Sequence, residues 1–209
     1  MRRKDLSRWL VVPAAAVLLA LAACGGGDEK NNILPTYTSF TVTPPLTDQL
    51  VFLQKNPADT NNADNIVIVD VMLRHNAGVN FTAFTLEVTF DPGVVQVGQV
   101  DASATPLGEC GGAGLCPPLC ADNVDPSNAT PANATGDLVI GVAKTCGAAA
   151  TVTGTDRLLT ISFIGASVGQ STLTLVDDAG HGDCEILDSN GDPLPITCDS
   201  GGAMVTVAR

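Results

Sequence analysis

The chain has 209 residues, with 22 Asp and Glu against 10 Lys and Arg and a formal net charge of −12 at pH 7. Such an acidic chain repels phosphate backbones and anionic lipid, which argues against nucleic acid or another polyanion as a partner. The length suits one domain with a full-sized core rather than several.

The first 23 residues read as a signal segment. Arg2, Arg3, Lys4 and Arg8 form a charged start, and Trp9 to Leu21 an apolar run too short and too rich in small residues for a membrane span. The run closes on Leu21-Ala22-Ala23-Cys24, which reads as a bacterial lipobox, with cleavage before Cys24 and diacylglycerol on its sulfur. Acyl chains, at about 0.8 kcal/mol per buried methylene, would then hold the protein on a membrane without a transmembrane helix. An ordinary secretory signal with an incidental cysteine is the alternative. Gly25 rather than Asp after the cysteine favours the outer membrane or cell surface of a Gram-negative bacterium. Cleavage leaves six basic against twenty-one acidic residues, a net charge of −15. Residues 24–35 then form a lipid-bearing, Gly-rich and polar flexible tether, and residues 36–209 the folded domain. No second domain boundary and no internal repeat is evident.

From there the pattern is all-β. Strands are expected at Tyr37–Thr43 and Gln49–Gln54, followed by an Asn/Asp loop in which Asp59, Asn61 and Asp64 either stay solvated or ligate calcium. Val67, Val69, Val71 and Leu73 alternate with Ile66, Ile68, Asp70 and Met72, which marks a strand with a strongly buried face. Phe84, Leu86, Val88 and Phe90 alternate more cleanly with Thr85, Glu87 and Thr89. Asp91-Pro92-Gly93 turns the chain into Val94–Val100. Further strands are expected at Leu138–Lys144, Arg157–Ile164, Ser171–Val176 and Ala203–Val207. No window of the mature chain holds a long helical period. The fold class is therefore a β-sandwich or jelly roll. Residues 102–136 stand apart as a Cys-, Gly- and Pro-rich insertion loop with almost no apolar pattern, long enough to be either functional or stapled.

With Cys24 assigned to lipid, six cysteines remain: Cys110, Cys116, Cys120, Cys146, Cys184 and Cys198. An even number outside the cytoplasm points to up to three disulfides. Cys184 and Cys198 flank an expected hairpin and form the first candidate bridge, leaving the other four to pair among themselves. A metal site built from the close trio with His75 or His181 is the rival, although its spacing matches no zinc pattern. Asp188-Ser189-Asn190-Gly191-Asp192 opens like a calcium loop, yet Pro193 occupies the position where such loops need glycine, and Asn190-Gly191 signals a tight turn. No cofactor is expected, with structural calcium left open. Catalysis is not expected either: His75 and His181 stand without a Gly-x-Ser-x-Gly elbow, and carboxylates such as Asp177-Asp178 are scattered over loops.

Taken in order, these residues resemble the bacterial cohesin modules of cellulosome scaffolds. The resemblance rests on Asn80-Phe81 leading into Phe84-Thr85-Leu86-Glu87-Val88-Thr89-Phe90-Asp91-Pro92 and then Val94-Val95-Gln96-Val97. It continues through Leu158-Leu159-Thr160-Ile161-Ser162-Phe163, Gly169 to Leu175, and Asp188-Ser189-Asn190-Gly191 before Met204-Val205-Thr206-Val207. It covers about residues 50–207, with the cysteine loop as an insertion. It implies a jelly-roll sandwich of about nine strands that binds a dockerin-bearing protein through one sheet face, linked to extracellular polysaccharide use. Carried over by position, Thr85, Glu87 and Thr89 would face that partner, with Leu138–Ala143 and Arg157–Phe163 nearby. Two alternatives belong to other classes. One is a carbohydrate-binding module, which usually needs exposed aromatic rings, whereas the single Trp leaves with the signal and Tyr37 is the sole tyrosine. The other is a structural envelope lipoprotein.

Overall fold

Thirteen strands and one short helix carry the chain among the described residues, which are 37–59, 65–108, 119–122, 131–177 and 184–209 of a computed structural model. The signal segment 1–23, Cys24, the tether 24–35, Asn61, Asp64, Cys110, Cys116, Asp178 and His181 lie outside them. The strands are β1 (Tyr37–Thr41), β2 (Leu50–Lys55), β3 (Ile66–Phe81), β4 (Ala83–Thr89), β5 (Val95–Asp101), β6 (Leu119–Asp122) and β7 (Asp137–Ala143). They continue with β8 (Ala150–Gly165), β9 (Gly169–Thr172), β10 (Thr174–Leu175), β11 (Cys184–Leu187), β12 (Thr197–Asp199) and β13 (Met204–Ala208); helix α1 spans Pro131–Thr135.

All nine stretches expected from alternation contain strand. The count exceeds nine for two reasons. The expected Ser171–Val176 strand divides at Leu173, where the chain leaves β13 as a partner and joins β4. The remaining three, β6, β11 and β12, have only three or four residues each, too few to show a period. The cysteine-rich loop also departs from its expected featurelessness. It contains β6 and α1, and its Leu107 is buried in the core.

Three sheets result, in the orders β1-β13-β9, β10-β4-β7-β6 with β11 also on β4, and β12-β2-β3-β8-β5. All ladders are antiparallel except β12 on β2. Val67, Val69, Val71 and Leu73 of β3 face Phe84, Leu86 and Val88 of β4 and Leu138, Ile140 and Val142 of β7 in one continuous core. Phe90 meets Phe163 edge-on with ring centroids 5.7 Å apart, a geometry that adds about 0.5–1.5 kcal/mol to the area buried. β3 runs past the expected end at Leu73 because a bulge between His75 and Val79 absorbs Asn76-Ala77-Gly78. His75 therefore lies inside the strand rather than after it.

The outer side of β2 and β3 is covered by the chain itself. Leu50 and Phe52 alternate away from the core yet are 2 % and 1 % exposed. The Arg74 guanidinium sits 4.6 Å above the Phe52 ring, and its Nη1 donates to the carbonyls of Pro45 (2.6 Å) and Thr47 (3.3 Å). One side chain thus pins the Pro45–Thr47 strap over an aromatic ring. Arg74→Ala should cost about 1–2 kcal/mol through the lost cation–π contact and two charge-assisted bonds. Urea unfolding with an unchanged slope would read that loss, and a midpoint equal to wild type would contradict it. Asp70, on the same side, is satisfied by Asn56 Nδ2 and Thr160 Oγ1, both at 2.8 Å, with Arg157 Nη1 at 3.7 Å. That explains an acid in the middle of an apolar strand.

Two sheet edges are closed by specific contacts. At the β5 edge, Asn133 of α1 accepts the Val97 N–H (2.7 Å) and donates to the Val97 carbonyl (3.1 Å). Elsewhere Cys184 of β11 is bonded to Cys198 of β12, with Cα atoms 6.4 Å apart. The expected bridge is present, but the two strands are not the arms of one hairpin. β11 belongs to the β4 sheet and β12 to the β2 sheet, so the bond joins different layers. Cys120 and Cys146 are also disulfide-bonded.

Candidate functional site on an open sheet face

The side of the β4 sheet turned away from the core is built by simple alternation. Phe84, Leu86 and Val88 point inward, which leaves Thr85, Glu87 and Thr89 together on the opposite face, as the sequence predicts. β7 pairs along the whole of β4, setting Gly141 opposite Thr85, Val139 opposite Glu87 and Asp137 opposite Thr89. On the other edge, β11 sets Glu185 opposite Thr85 and Leu187 opposite Ala83. β6 places Ala121 opposite Gly141. Arg157–Phe163, which the resemblance puts beside this face, lies in β8 within the other five-stranded sheet, because β8 pairs with β3 and β5.

The face has a hollow and a rim. Ala83, Thr85, Gly141, Ala143, Ala121 and Leu187 line an open depression of about 500 Å³, present because the central positions carry almost no side chain. A Cβ built on Gly141 would meet only Thr85 Cγ2, at 4.0 Å. Val139 rises beside it, 47 % exposed. Glu87 and Glu185 supply negative charge beside the depression, Asp137 lies at the far, Thr89 end, and Lys144 follows Ala143 at the near end. Thr82 fixes the Ala83 end. Its N–H donates to the Leu187 carbonyl (2.9 Å), its hydroxyl to the Asp188 carbonyl (2.6 Å), and its carbonyl accepts the Lys144 N–H (2.8 Å). At the other end the Phe90 N–H donates to Gly136, whose φ of +84° and tight fit against the Phe90 carbonyl require glycine.

Sequence reasoning named the β4 residues and put Leu138–Ala143 beside them, where β7 lies, without singling out Gly141 or Ala143, and it missed Leu187 and Glu185. Alternation in Leu138–Lys144 carried a signal for Gly141 and Ala143. β11 is too short to have offered one.

The Asp188–Asp192 segment is a turn. Asp188 Oδ1 accepts the N–H groups of Asn190 (2.7 Å) and Asp192 (3.0 Å), with Gly191 at φ +84°. Those amides, Asp192 first and Asn190 next, hold the Asp188 carboxyl below its usual pKa. The N–H of Asn76 does the same for Asp48, and Ser103, through hydroxyl and then amide, for Asp101. Among the described residues no group of three or more His, Cys, Asp or Glu is placed to hold a metal ion. A depressed carboxylate pKa gives stability that is full above the unfolded value, near 3.9, and is lost as pH falls through the folded value. The melting temperature should therefore hold from pH 7 to about 5 and fall below about 4. Asp188→Asn should flatten that slope, and a midpoint constant to pH 3 would contradict the assignment.

No protein-family model matches the sequence, and no curated protein matches it. Solved structures do. The second type II cohesin module of the adaptor scaffoldin ScaA of Acetivibrio cellulolyticus superposes with a TM-score of 0.53 at 13 % identity, covering 74 % of this chain and 88 % of that one. The third ScaC cohesin of the same organism, solved in complex with the ScaB dockerin, gives 0.51 at 16 % identity over 77 % and 99 %. CaCohA2 of Clostridium acetobutylicum gives 0.50 at 19 % identity over 78 % and 93 %. The chain has the cohesin fold.

Proposed function

We propose that this chain is a cell-surface lipoprotein, anchored through Cys24, whose sandwich is a non-catalytic attachment module for a dockerin-type protein. Its setting is the extracellular use of polysaccharide. The observation that carries the reading is the open apolar depression between β11, β4, β7 and β6, with Glu87 and Glu185 beside it. An apolar hollow with the carboxylates of Glu87 and Glu185 beside it suits a partner that inserts small apolar side chains and brings Lys or Arg alongside them. The ScaC cohesin, of like fold, was solved with a dockerin bound. A glycan platform has less support, since no outward position of β4, β7, β10 or β11 holds an aromatic ring.

The test is capture. The oxidised chain, immobilised, is exposed to the secreted and surface proteins of the producing cell, in calcium and again in EDTA. A protein retained only in calcium and carrying paired Asp/Asn-rich loops establishes the dockerin reading. An empty column from correctly oxidised bait removes it.

A further inference from the structure

Among the described residues, five large apolar side chains are substantially exposed: Leu46, Ile66, Val139, Ile164 and Val168. Val139 belongs to the depression face, and Leu46 stands on the strap that Arg74 holds. The other three gather at one end of the sandwich. Ile66 and Ile164 face each other across the β3–β8 ladder on its outer side, 43 % and 39 % exposed. Val168, 54 % exposed, follows in the β8–β9 turn. That turn is fixed. The N–H groups of Ala166 and Ser167 both donate to the Val94 carbonyl, and the Ser167 hydroxyl donates to the Gly93 carbonyl. Gly169 lies against the Val94 side chain.

β1 begins at the same end. Tyr37, the first residue of β1, pairs with Ala208, and Thr38 with Val207; Val207 in turn pairs with Gly169, the residue after Val168. Two strand spacings, about 10 Å, separate β1 from β9. Twelve residues, Gly-rich at their start, lie between Cys24 and Tyr37. Covalent geometry lets twelve residues reach at most about 40 Å, so this end is within reach of whatever surface holds Cys24.

We infer that in the anchored protein this end of the sandwich rests on the lipid interface through Ile66, Ile164 and Val168. The inference depends on the proposed lipid attachment at Cys24. Aliphatic side chains gain by entering the boundary between headgroups and acyl chains. Three of them bind negligibly from solution, but a short tether makes the contact intramolecular, at an effective concentration on the order of millimolar. The net charge of −15 on the mature chain makes the suitable surface zwitterionic rather than anionic. The Asp91–Val94 turn, at the Thr89 end of β4, is part of the docked end. The depression, at Ala83 and Thr85, lies four to six residues or about 13–20 Å further along the strand, on the sheet opposite the one that carries Ile66 and Ile164.

The experiment uses the full chain, purified from cells and reconstituted into vesicles of phosphatidylcholine and phosphatidylethanolamine. The mass of the N-terminal peptide first shows whether Cys24 is acylated. Hydrogen exchange is then compared on vesicles and after proteolytic release of the anchor. Amides of residues 94–97 and 164–169 should exchange at least about threefold more slowly on the vesicles. Ile164→Ser with Val168→Ser, both at exposed positions, should abolish that difference. Acylated protein without it overturns the docking and leaves the lipoprotein reading standing. An unmodified Cys24 overturns both. Protection that persists after release and grows with protein concentration assigns this end to a second copy of the chain and overturns the docking.

Discussion

Gly141→Lys should leave the sandwich folded and weaken partner capture at least about 100-fold, the scale of a central interface position. Gly141 lies mid-face between Thr85 and Ala121, its φ is not among the positive ones, and a Cβ there meets only a methyl group at 4.0 Å. A longer side chain therefore enters the depression rather than the core. In a strand interior any side chain also removes part of glycine's entropic cost. Lysine adds charge of the same sign as a partner's basic margin, so filling and repulsion act together. Thr85→Lys with Glu87→Lys should have the same consequence by reversing the β4 contribution. Gln96→Lys, on β5 of the other sheet, should change nothing. Titration calorimetry against the captured protein reads the affinity, and an unchanged melting temperature shows that the fold is intact. Undiminished binding by folded Gly141→Lys would move the site off this face.

Replacing Cys184 and Cys198 by serine should cost about 3 kcal/mol, the chain-entropy value for a loop of this size, since the bridge spans a sequence separation of 14. For a domain of this length that is a fall of about 6–12 °C in melting temperature. The loss should be uneven. β11 pairs with β4 and bonds to its own following loop through Leu194 and Pro193, and β12 pairs with β2 and donates the Cys198 N–H to Asp177. Both are short edge segments, so hydrogen exchange should rise first there and later in β4 and β7. Partner affinity should fall as well, because Leu187 and Glu185 border the depression. A melting shift below about 2 °C would show that the nine-residue connection between β11 and β12 already restrains both strands.

Much of this architecture was legible in the chain itself, for one reason. A strand buried on one face writes a period of two, and β4, β7 and the first half of β3 do so over seven or more residues. The outward Thr85, Glu87 and Thr89 followed from that period. What stayed hidden lacks length or depends on partners. β11 and β12 are too short for a period, and no local signal says that one joins the β4 sheet and the other the β2 sheet. α1 has only five residues, although Pro131 at its start and Gly136 after its end are the residues such a helix uses. Arg157–Phe163 was set beside the wrong sheet by the resemblance, and its own pattern could not correct that, since a strand's pattern tells which face is buried and not which neighbour it takes. The depression was invisible for a related reason. It is a property of register, arising only when Gly141 is set between Thr85 and Ala121.

The clasp between Asn133 and Val97 bears on how copies of this protein behave side by side. β5 is the last strand of its sheet, and such a border offers open donors and acceptors to any extended chain that drifts against it. Here the Asn133 amide of a one-turn helix occupies both groups of Val97, in the manner of a neighbouring backbone. A bulge between Val97 and Gln99 also breaks the repeat an incoming chain would need. A five-residue helix, set in a loop that carries no recognisable period, thus takes the Val97 pair of groups away from any such chain.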